Sequence, residues 1–364
     1  MRRIAVISAF NPYNYGMYSV DLAAHRFFSE LGVPFTSVVT QQRTRTGRLR
    51  FELLRDPAQF AEFDAVVYWG DFLNNPMWGA DDYIAREAKR HKVHDPKQAW
   101  ENWCALYLNL KRRDPALRVF AIGGCFLGAD GPALTRAGRQ FQEFIQSAEL
   151  VMPREDRSLA IVRRLAQASG VLPGMDCAWL LPFASRPKTD DSSYFVCFLG
   201  RTLRRQSRKF LGELSRRTGL RPVWIDWMNL RRPRFMAHWN FERMHRLIAG
   251  ARFVVTDTYH LTINALNRGV RTVCLYDAGQ TESDGTCGDA KKRALLEQAR
   301  MTSMLVDLHA EESLASRIWD RLESVDPSAE AAAFAEIARR REVFRATLLA
   351  ALKPASHLVN NSRP

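Results

Sequence analysis

The chain has 364 residues, of which 46% are hydrophobic and 25% are charged, and its formal net charge is +14. This length exceeds what one hydrophobic core usually supports, so we expect two domains with enough apolar residues to fill both. No run approaches the ~20 consecutive apolar residues of a membrane span, which excludes a predicted transmembrane helix and favours a cytoplasmic protein.

The positive charge favours anionic partners, which include phosphorylated small molecules, anionic lipid and nucleic acid. Nucleic acid is the weakest of the three, because no zinc-finger, ribonucleoprotein or basic-zipper pattern accompanies the charge. Arginines cluster locally, at residues 201–205 and 231–234. We therefore expect no nucleic-acid partner, and a peripheral contact with the anionic inner membrane.

The cysteines and histidines do not form a recognisable metal motif. The six cysteines include no C-x-x-C pair, and several lie inside apolar runs, where cysteine behaves as a small hydrophobic residue. His91, His94 and Asp95 lie in a strongly charged stretch, which favours a solvated surface over a metal site. We predict reduced thiols and no metal or other cofactor.

The first half of the chain has the pattern of a parallel sheet covered by helices. Short apolar runs rich in β-branched and aromatic residues occur at 4–9, 65–69 and 119–122. Residues 20–31, between the first two runs, have helical spacing with apolar side chains on one side. Residues 1–183 are therefore predicted to form a Rossmann-like domain.

The second half repeats this alternation. Strand-like runs at 194–199, 222–227, 253–256 and 272–276 alternate with helical stretches such as 208–218. A proline-rich and polar segment at 182–193 marks the boundary, so residues 192–326 are predicted to form a second Rossmann-like domain. An Ala- and Glu-rich helix at 327–352 is expected to pack back across the domains, followed by a frayed tail at 353–364.

Open parallel sheets bind ligands beyond the carboxyl ends of their strands. In this chain four polar segments follow predicted strands, at residues 10–17, 70–75, 200–201 and 256–260. His260 stands out because it places a titratable imidazole after a buried strand, at a predicted helix start. Structural alternatives remain open, since an Asn-Tyr-Gly turn is often only a turn and a strand-end Asp often caps the next helix.

Several segments together resemble the polysaccharide pyruvyl transferase family along most of the chain. The similar segments are Asn14-Tyr15-Gly16 with the helix after it, and residues 153–158, 176–181, 247–260 and 289–293. The strongest match is Thr256-Asp257-Thr258-Tyr259-His260, which is similar to the family's Thr-Asp-Ser-Phe-His-Gly signature.

The chain also departs from this family's pattern. Leu261 stands where the family has glycine, Cys177 where it has proline, and Thr258 where some relatives have arginine. Residues 69–74 are only loosely similar to a Gly-Ser-Asp-Gln-Val-Trp-Asn stretch. These departures weaken the prediction of the exact substrate more than the prediction of the fold.

The resemblance implies an α/β fold with two Rossmann-like, glycosyltransferase-B-like (GT-B-like) domains and an interdomain cleft. It implies transfer of a pyruvyl group from phosphoenolpyruvate to a sugar of a polysaccharide or of a lipid-linked saccharide, in the form of a ketal. The residues then fall into three groups: His260 as the acid with Asp71 and Asp257 as base or acceptor-orienting groups; Arg201, Arg204 and Thr258 at the donor; and Asn14, Gly16 and Asn74 lining the cleft.

Two other functions stay open at this stage. The same fold serves glycosyltransferases with nucleotide-sugar donors, which need a larger donor pocket than a three-carbon phosphate does. The departures at Thr258 and Leu261 also leave room for a non-catalytic, sugar-binding relative. The size and charge of the pocket beside His260 and Arg201 would separate the three functions.

Overall fold

The computed structural model of the chain describes residues 3–8, 14–40, 45–70, 83–85, 95–129, 132–182, 192–200, 207–228, 233–278, 289–309 and 312–353. Within these residues the strands of the first half are, in chain order, β1 (Ile4–Ser8), β2 (Phe35–Val39), β3 (Arg45–Thr46), β4 (Leu49–Arg50), β5 (Glu52–Leu53), β6 (Ala65–Trp69), β7 (Arg118–Gly124) and β8 (Leu150–Pro153). The helices are α1 (Tyr15–Leu31), α2 (Pro96–Tyr107), α3 (Leu110–Arg113), α4 (Pro132–Ser147) and α5 (Asp156–Leu165).

Six of these strands form one parallel sheet in the order β5-β2-β1-β6-β7-β8. β1 and β6 lie at its centre, and every residue of both strands is buried. Such continuous apolar strands are typical of a sheet covered on both faces. β3 and β4 form a separate antiparallel hairpin.

The second half holds a second parallel sheet. Its described strands are β9 (Tyr194–Phe198), β10 (Arg221–Trp224), β11 (Val254–Thr256), β12 (Thr272–Tyr276) and β13 (Leu305–Asp307), in the spatial order β10-β9-β11-β12-β13. The described helices are α6 (Ser207–Thr218), α7 (Ala237–Ala249), α8 (Tyr259–Leu266), α9 (Ala290–Gln298), α10 (Leu314–Glu323) and α11 (Pro327–Leu352). The prediction of two Rossmann-like α/β units is confirmed, whereas the residue limits of the domains remain a prediction.

The terminal helix α11 contacts both halves of the molecule. Arg340 and Arg345 pair with Asp156 and Glu30 of the first half at 3.0 and 3.2 Å. Glu330, one turn into the same helix, binds Arg271 beside β12 at 2.7 Å. Partly exposed pairs of this kind each contribute only ~0–1 kcal/mol, so their main effect is to fix where the helix lies.

Candidate functional site

A cleft of about 550 Å³, its open mouth included, lies where the two sheets face each other. Asn14, after β1, lines it from the first half, and residues after β9, β10, β11 and β12 line it from the second half. The strand order reverses between β1 and β6 in the first sheet and between β9 and β11 in the second, and such switch points are where open α/β sheets bind ligands. The lining residues are Asn14, Gly200, Trp227, Met228, Asp257, Thr258, Tyr259, His260, Lys291 and Lys292.

Helix α8 begins directly at the cleft. Thr258 is its N-cap residue, and the Thr258 N–H donates to the Thr256 hydroxyl at 3.1 Å, while the two threonine hydroxyls lie 2.9 Å apart. The first amides of a helix have no acceptor within the helix, and its dipole favours negative charge there. This end of α8, with Lys291 beside it, is suited to an anionic group such as a phosphate.

His260 lies next to a buried carboxylate from the first half. Its Nε2 is 3.7 Å from Oδ2 of Asp176, and the two side chains are 18% and 3% exposed. Burial raises the pKa of Asp176 above its ordinary value, and the nearby Arg154 guanidinium offsets part of that rise. The other carboxylate oxygen of Asp176 accepts the Ala178 N–H at 2.9 Å, which fixes its orientation. An imidazole beside a fixed carboxylate is an arrangement that can take or give a proton.

The start of α1 packs closely against His260. Asn14 caps α1, accepting the Gly16 N–H at 2.8 Å. A Cβ on residue 16 would lie 2.3 Å from the His260 Cβ, so only glycine allows this approach. Asn264 of α8 continues the contact by donating to the Ser19 hydroxyl at 3.1 Å and to the His260 carbonyl at 2.7 Å.

A set of buried polar residues from the first half packs against the start of α8. The Arg154 Nε donates to Glu155 at 2.9 Å, and its guanidinium lies 4.4 Å from the centre of the Tyr259 ring. Glu155 also binds the hydroxyl of Ser158, which in turn accepts the Phe126 N–H. The Arg154–Tyr259 contact joins the segment after β8 to the start of α8, and the bonds to Glu155, Ser158 and Phe126 fix that segment within the first half.

Asp257 and Lys292 connect the strand ends of the second sheet. Asp257 is 1% exposed, and its carboxylate accepts the Gly200 N–H at 2.9 Å, which ties the end of β11 to the end of β9. Lys292 is 4% exposed and donates to the carbonyls of Asp257 and Leu275 at 3.2 and 2.8 Å, with Asp289 at 2.5 Å. Both residues therefore shape the cleft wall.

Five of the site residues predicted from the sequence lie together at the cleft: Asn14, Gly16, Asp257, Thr258 and His260. Asp71, Asn74, Arg201 and Arg204 lie outside the described residues. The role assigned to each of the nine remains a prediction.

Several residues of the site are not among those predicted from the sequence, and they include Asp176, Arg154 and Lys291. The only sequence signal for Asp176 and Arg154 is that both belong to segments that resemble the pyruvyl transferase family. Lys291 precedes the buried Lys292, and only the fold distinguishes the lysine that lines the open cleft from the one inside the wall.

The described residues contain no group of three or more His, Cys, Asp or Glu side chains placed to hold a metal ion. Asp95 instead caps α2, where it accepts the Lys97 N–H, while His91 and His94 fall outside the described ranges. In that same part of the chain, no helix is both long and apolar enough to cross a membrane.

No family model matches the sequence, and no curated protein matches it. The solved structures that share its architecture include the following two. One is the glycotransferase of kitacinnamycin, with a TM-score of 0.51, 11% identity, and coverage of 96% of this chain and 97% of that one. The other is UDP-GlcNAc 2-epimerase from Neisseria meningitidis bound to UDP-GlcNAc, with a TM-score of 0.50, 10% identity, and coverage of 96% and 100%. At such low identity the likeness establishes the fold alone, which is of the GT-B type as predicted.

Proposed function

We propose that this protein is a GT-B-type transferase that moves a glycosyl group from a nucleotide-sugar donor to a saccharide acceptor carried by a lipid. The observation behind the proposal is that one cleft combines an anion-binding end with a group able to take a proton. The anion-binding end is the start of α8 with Lys291, and the proton-accepting group is His260 beside Asp176.

The fold favours a nucleotide-sugar donor. Structures with the same fold include a glycotransferase and an epimerase bound to UDP-GlcNAc. UDP-GlcNAc is therefore the first donor to test.

The chemistry would use the residues in the following way. His260 takes the proton from an acceptor hydroxyl, whose oxygen forms a bond to the anomeric carbon of the donor. The bond from that carbon to the phosphate oxygen breaks, and a nucleoside diphosphate leaves. The α8 amides and Lys291 stabilise its growing negative charge, while Asp176 orients the imidazole and stabilises its protonated form.

A second candidate is pyruvyl transfer from phosphoenolpyruvate. It is favoured by the spatial convergence of the segments that resemble that family, since Gly16, Arg154 and Asp176 all surround the Tyr259-His260 pair. In this reaction His260 would protonate the donor methylene, and two acceptor hydroxyls would form bonds to the central carbon while its bond to the phosphate oxygen breaks. One hydroxyl proton would return to His260, and the other would leave with the phosphate.

The experiment that tests the proposal supplies both donors. Purified protein is incubated with lipid-linked saccharides and either UDP-GlcNAc labelled in its sugar or phosphoenolpyruvate labelled in its carbon chain. Label entering the lipid fraction from the nucleotide sugar, with release of UDP, is the expected result. Label from phosphoenolpyruvate, with release of phosphate, would replace the proposal by the second candidate. Saccharide binding without transfer of either label would leave a non-catalytic sugar-binding protein.

A further inference from the structure

An aromatic surface flanked by arginines lies beside the cleft. Among the described residues, five large hydrophobic side chains are exposed, and the three aromatic ones, Trp224, Phe235 and Trp239, are 46%, 79% and 53% exposed. Trp224 ends β10, Phe235 lies in the short turn before α7, and Trp239 lies in the first turn of α7. Phe235 and Trp239 are four residues apart at the start of α7, and contiguous exposed apolar patches mark interaction sites.

Arginines belong to the same surface. Trp239, Arg243 and Arg246 follow one another at helical spacings of four and three, so they share the outer face of α7. The opposite face of α7 is buried, through residues that include Phe241, Met244 and Ile248. Arg243 and Trp224 also line one surface cavity, which connects the helix to the end of β10.

The β3–β4 hairpin adds further positive charge next to α7. Arg45, Arg48 and Arg50 are exposed on this hairpin. A Cβ on Gly47 at its tip would lie 3.3 Å from the His238 backbone nitrogen, so the hairpin packs on the start of α7. The acidic groups nearby include Asp226 in the cavity, Glu242, which pairs with Arg26 at 3.9 Å, and Glu52, which pairs with Arg3 at 3.7 Å. Arginine therefore dominates the charge around the aromatic residues.

We propose that this aromatic–arginine surface, formed by Trp224, Phe235, Trp239, Arg243, Arg246 and the hairpin arginines, docks the protein onto an anionic lipid bilayer. Indole and phenyl rings enter the headgroup region, while guanidinium groups bind lipid phosphates in bidentate fashion. A second copy of the chain is a poor partner, because each copy carries a net charge of +14.

The position of the surface suits a lipid-carried acceptor, and the inference rests on the proposed function only in this respect. Trp224 and Trp227 are three residues apart, and Trp227 lines the cleft. A saccharide whose lipid remains in the bilayer would therefore approach the cleft from the docked side.

The test is co-sedimentation with vesicles of phosphatidylglycerol and phosphatidylcholine, compared with vesicles of phosphatidylcholine alone. We expect binding to the anionic vesicles that weakens as salt rises, and a loss of at least about tenfold in both Phe235→Ser/Trp239→Ser and Arg243→Gln/Arg246→Gln. Val343→Ser removes a hydrophobic group that is 54% exposed on α11, and it should bind like the wild type.

Other results would overturn the inference. Wild-type binding by both double variants, with circular dichroism confirming their fold, would mean that this surface does not contact lipid. Equal binding to the two kinds of vesicle would show that the arginines do not select anionic lipid. Binding to duplex DNA in preference to anionic vesicles would assign the surface to nucleic acid. His260→Ala should bind vesicles normally, so that a failure of donor chemistry can be distinguished from a failure of docking.

Discussion

Gly16 and His260 are packed against each other across the two halves of the molecule, since a Cβ on residue 16 would lie 2.3 Å from the Cβ of His260. The contact involves atoms close to both backbones, so no flexible side chain can move aside to make room. It fixes the distance between the start of α1 and the imidazole at the cleft. Any enlargement of residue 16 must therefore shift α1 or α8.

We predict that Gly16→Ala lowers the free energy of unfolding by about 1–3 kcal/mol, as overpacking of a rigid contact does. Gly212→Ala is the matched control, because Gly212 lies within α6 and an added Cβ there meets no atom within 4 Å. That control should gain roughly 0.5–1 kcal/mol from helix propensity. Chemical denaturation measures both changes, and equal stabilisation of the two variants would contradict the close packing at Gly16.

The pairing of His260 with Asp176 gives a second prediction. His260→Ala should lower turnover by roughly 10²–10⁴-fold, the usual range for a positioned acid or base, with a much smaller effect on donor affinity. Asp176→Asn should lower turnover by at least about tenfold but less than His260→Ala, because the imidazole remains and only its partner loses charge.

Asp156→Asn is the control for Asp176, because Asp156 is half-exposed and pairs with Arg340 on α11. It should keep normal turnover, and its pH profile should match that of the wild type. Asp176→Asn should change the pH dependence of turnover. Loss of a carboxylate that only supported the fold would leave that pH dependence unchanged. Near-normal turnover in a folded His260→Ala protein would show that His260 is not the proton-transfer group.

The fold follows from local patterns, whereas the site depends on contacts between distant segments. The runs at 65–69 and 272–276 coincide with β6 and β12, because continuous apolar strands are buried on both faces of a parallel sheet. β13 is not predicted, because its residues Leu305–Asp307 end in an aspartate and form no apolar run like the one at 253–256 that predicts β11. His260 is predictable because it follows a strand. Asp176 precedes a short 3₁₀ turn instead, and only the tertiary fold brings it to His260.

A third prediction concerns Asp21, which is buried on α1. Burial raises the pKa of its carboxyl to about 7, and the Ser8 hydroxyl offsets part of the rise. The folded state thus holds this proton more tightly than the unfolded state does, so the stability that this group contributes falls as pH rises from about 4 to about 7.

Asp21→Asn removes that dependence. At about pH 8 we expect the variant to exceed the wild type in free energy of unfolding by up to roughly 4 kcal/mol, with the difference vanishing near pH 4. Urea denaturation across this pH range measures the difference, with the exposed Asp320→Asn on α10 as control. A constant difference at every pH would mean that Asp21 does not titrate in this range.

The last prediction separates two neighbouring lysines. Lys292→Met should lower the free energy of unfolding by about 3–5 kcal/mol, because it leaves the Asp289 carboxylate without a positive partner in a largely buried site, where, among the described residues, only the Asp277 N–H still binds it. Adding Asp289→Leu should recover part of that loss. Lys291→Ala should change stability by no more than about 1 kcal/mol, the range of a partly exposed cation–π contact such as the one its ammonium makes with the Tyr259 ring at 5.8 Å. It should nevertheless weaken donor binding about tenfold or more, because it removes a positive charge from the open cleft. Calorimetric titration with UDP-GlcNAc and with phosphoenolpyruvate measures the affinity, and urea denaturation measures the stability. If Lys291→Ala binds both donors like the wild type, the anion-binding end of the cleft does not depend on this lysine, and the α8 amides alone must hold the phosphate.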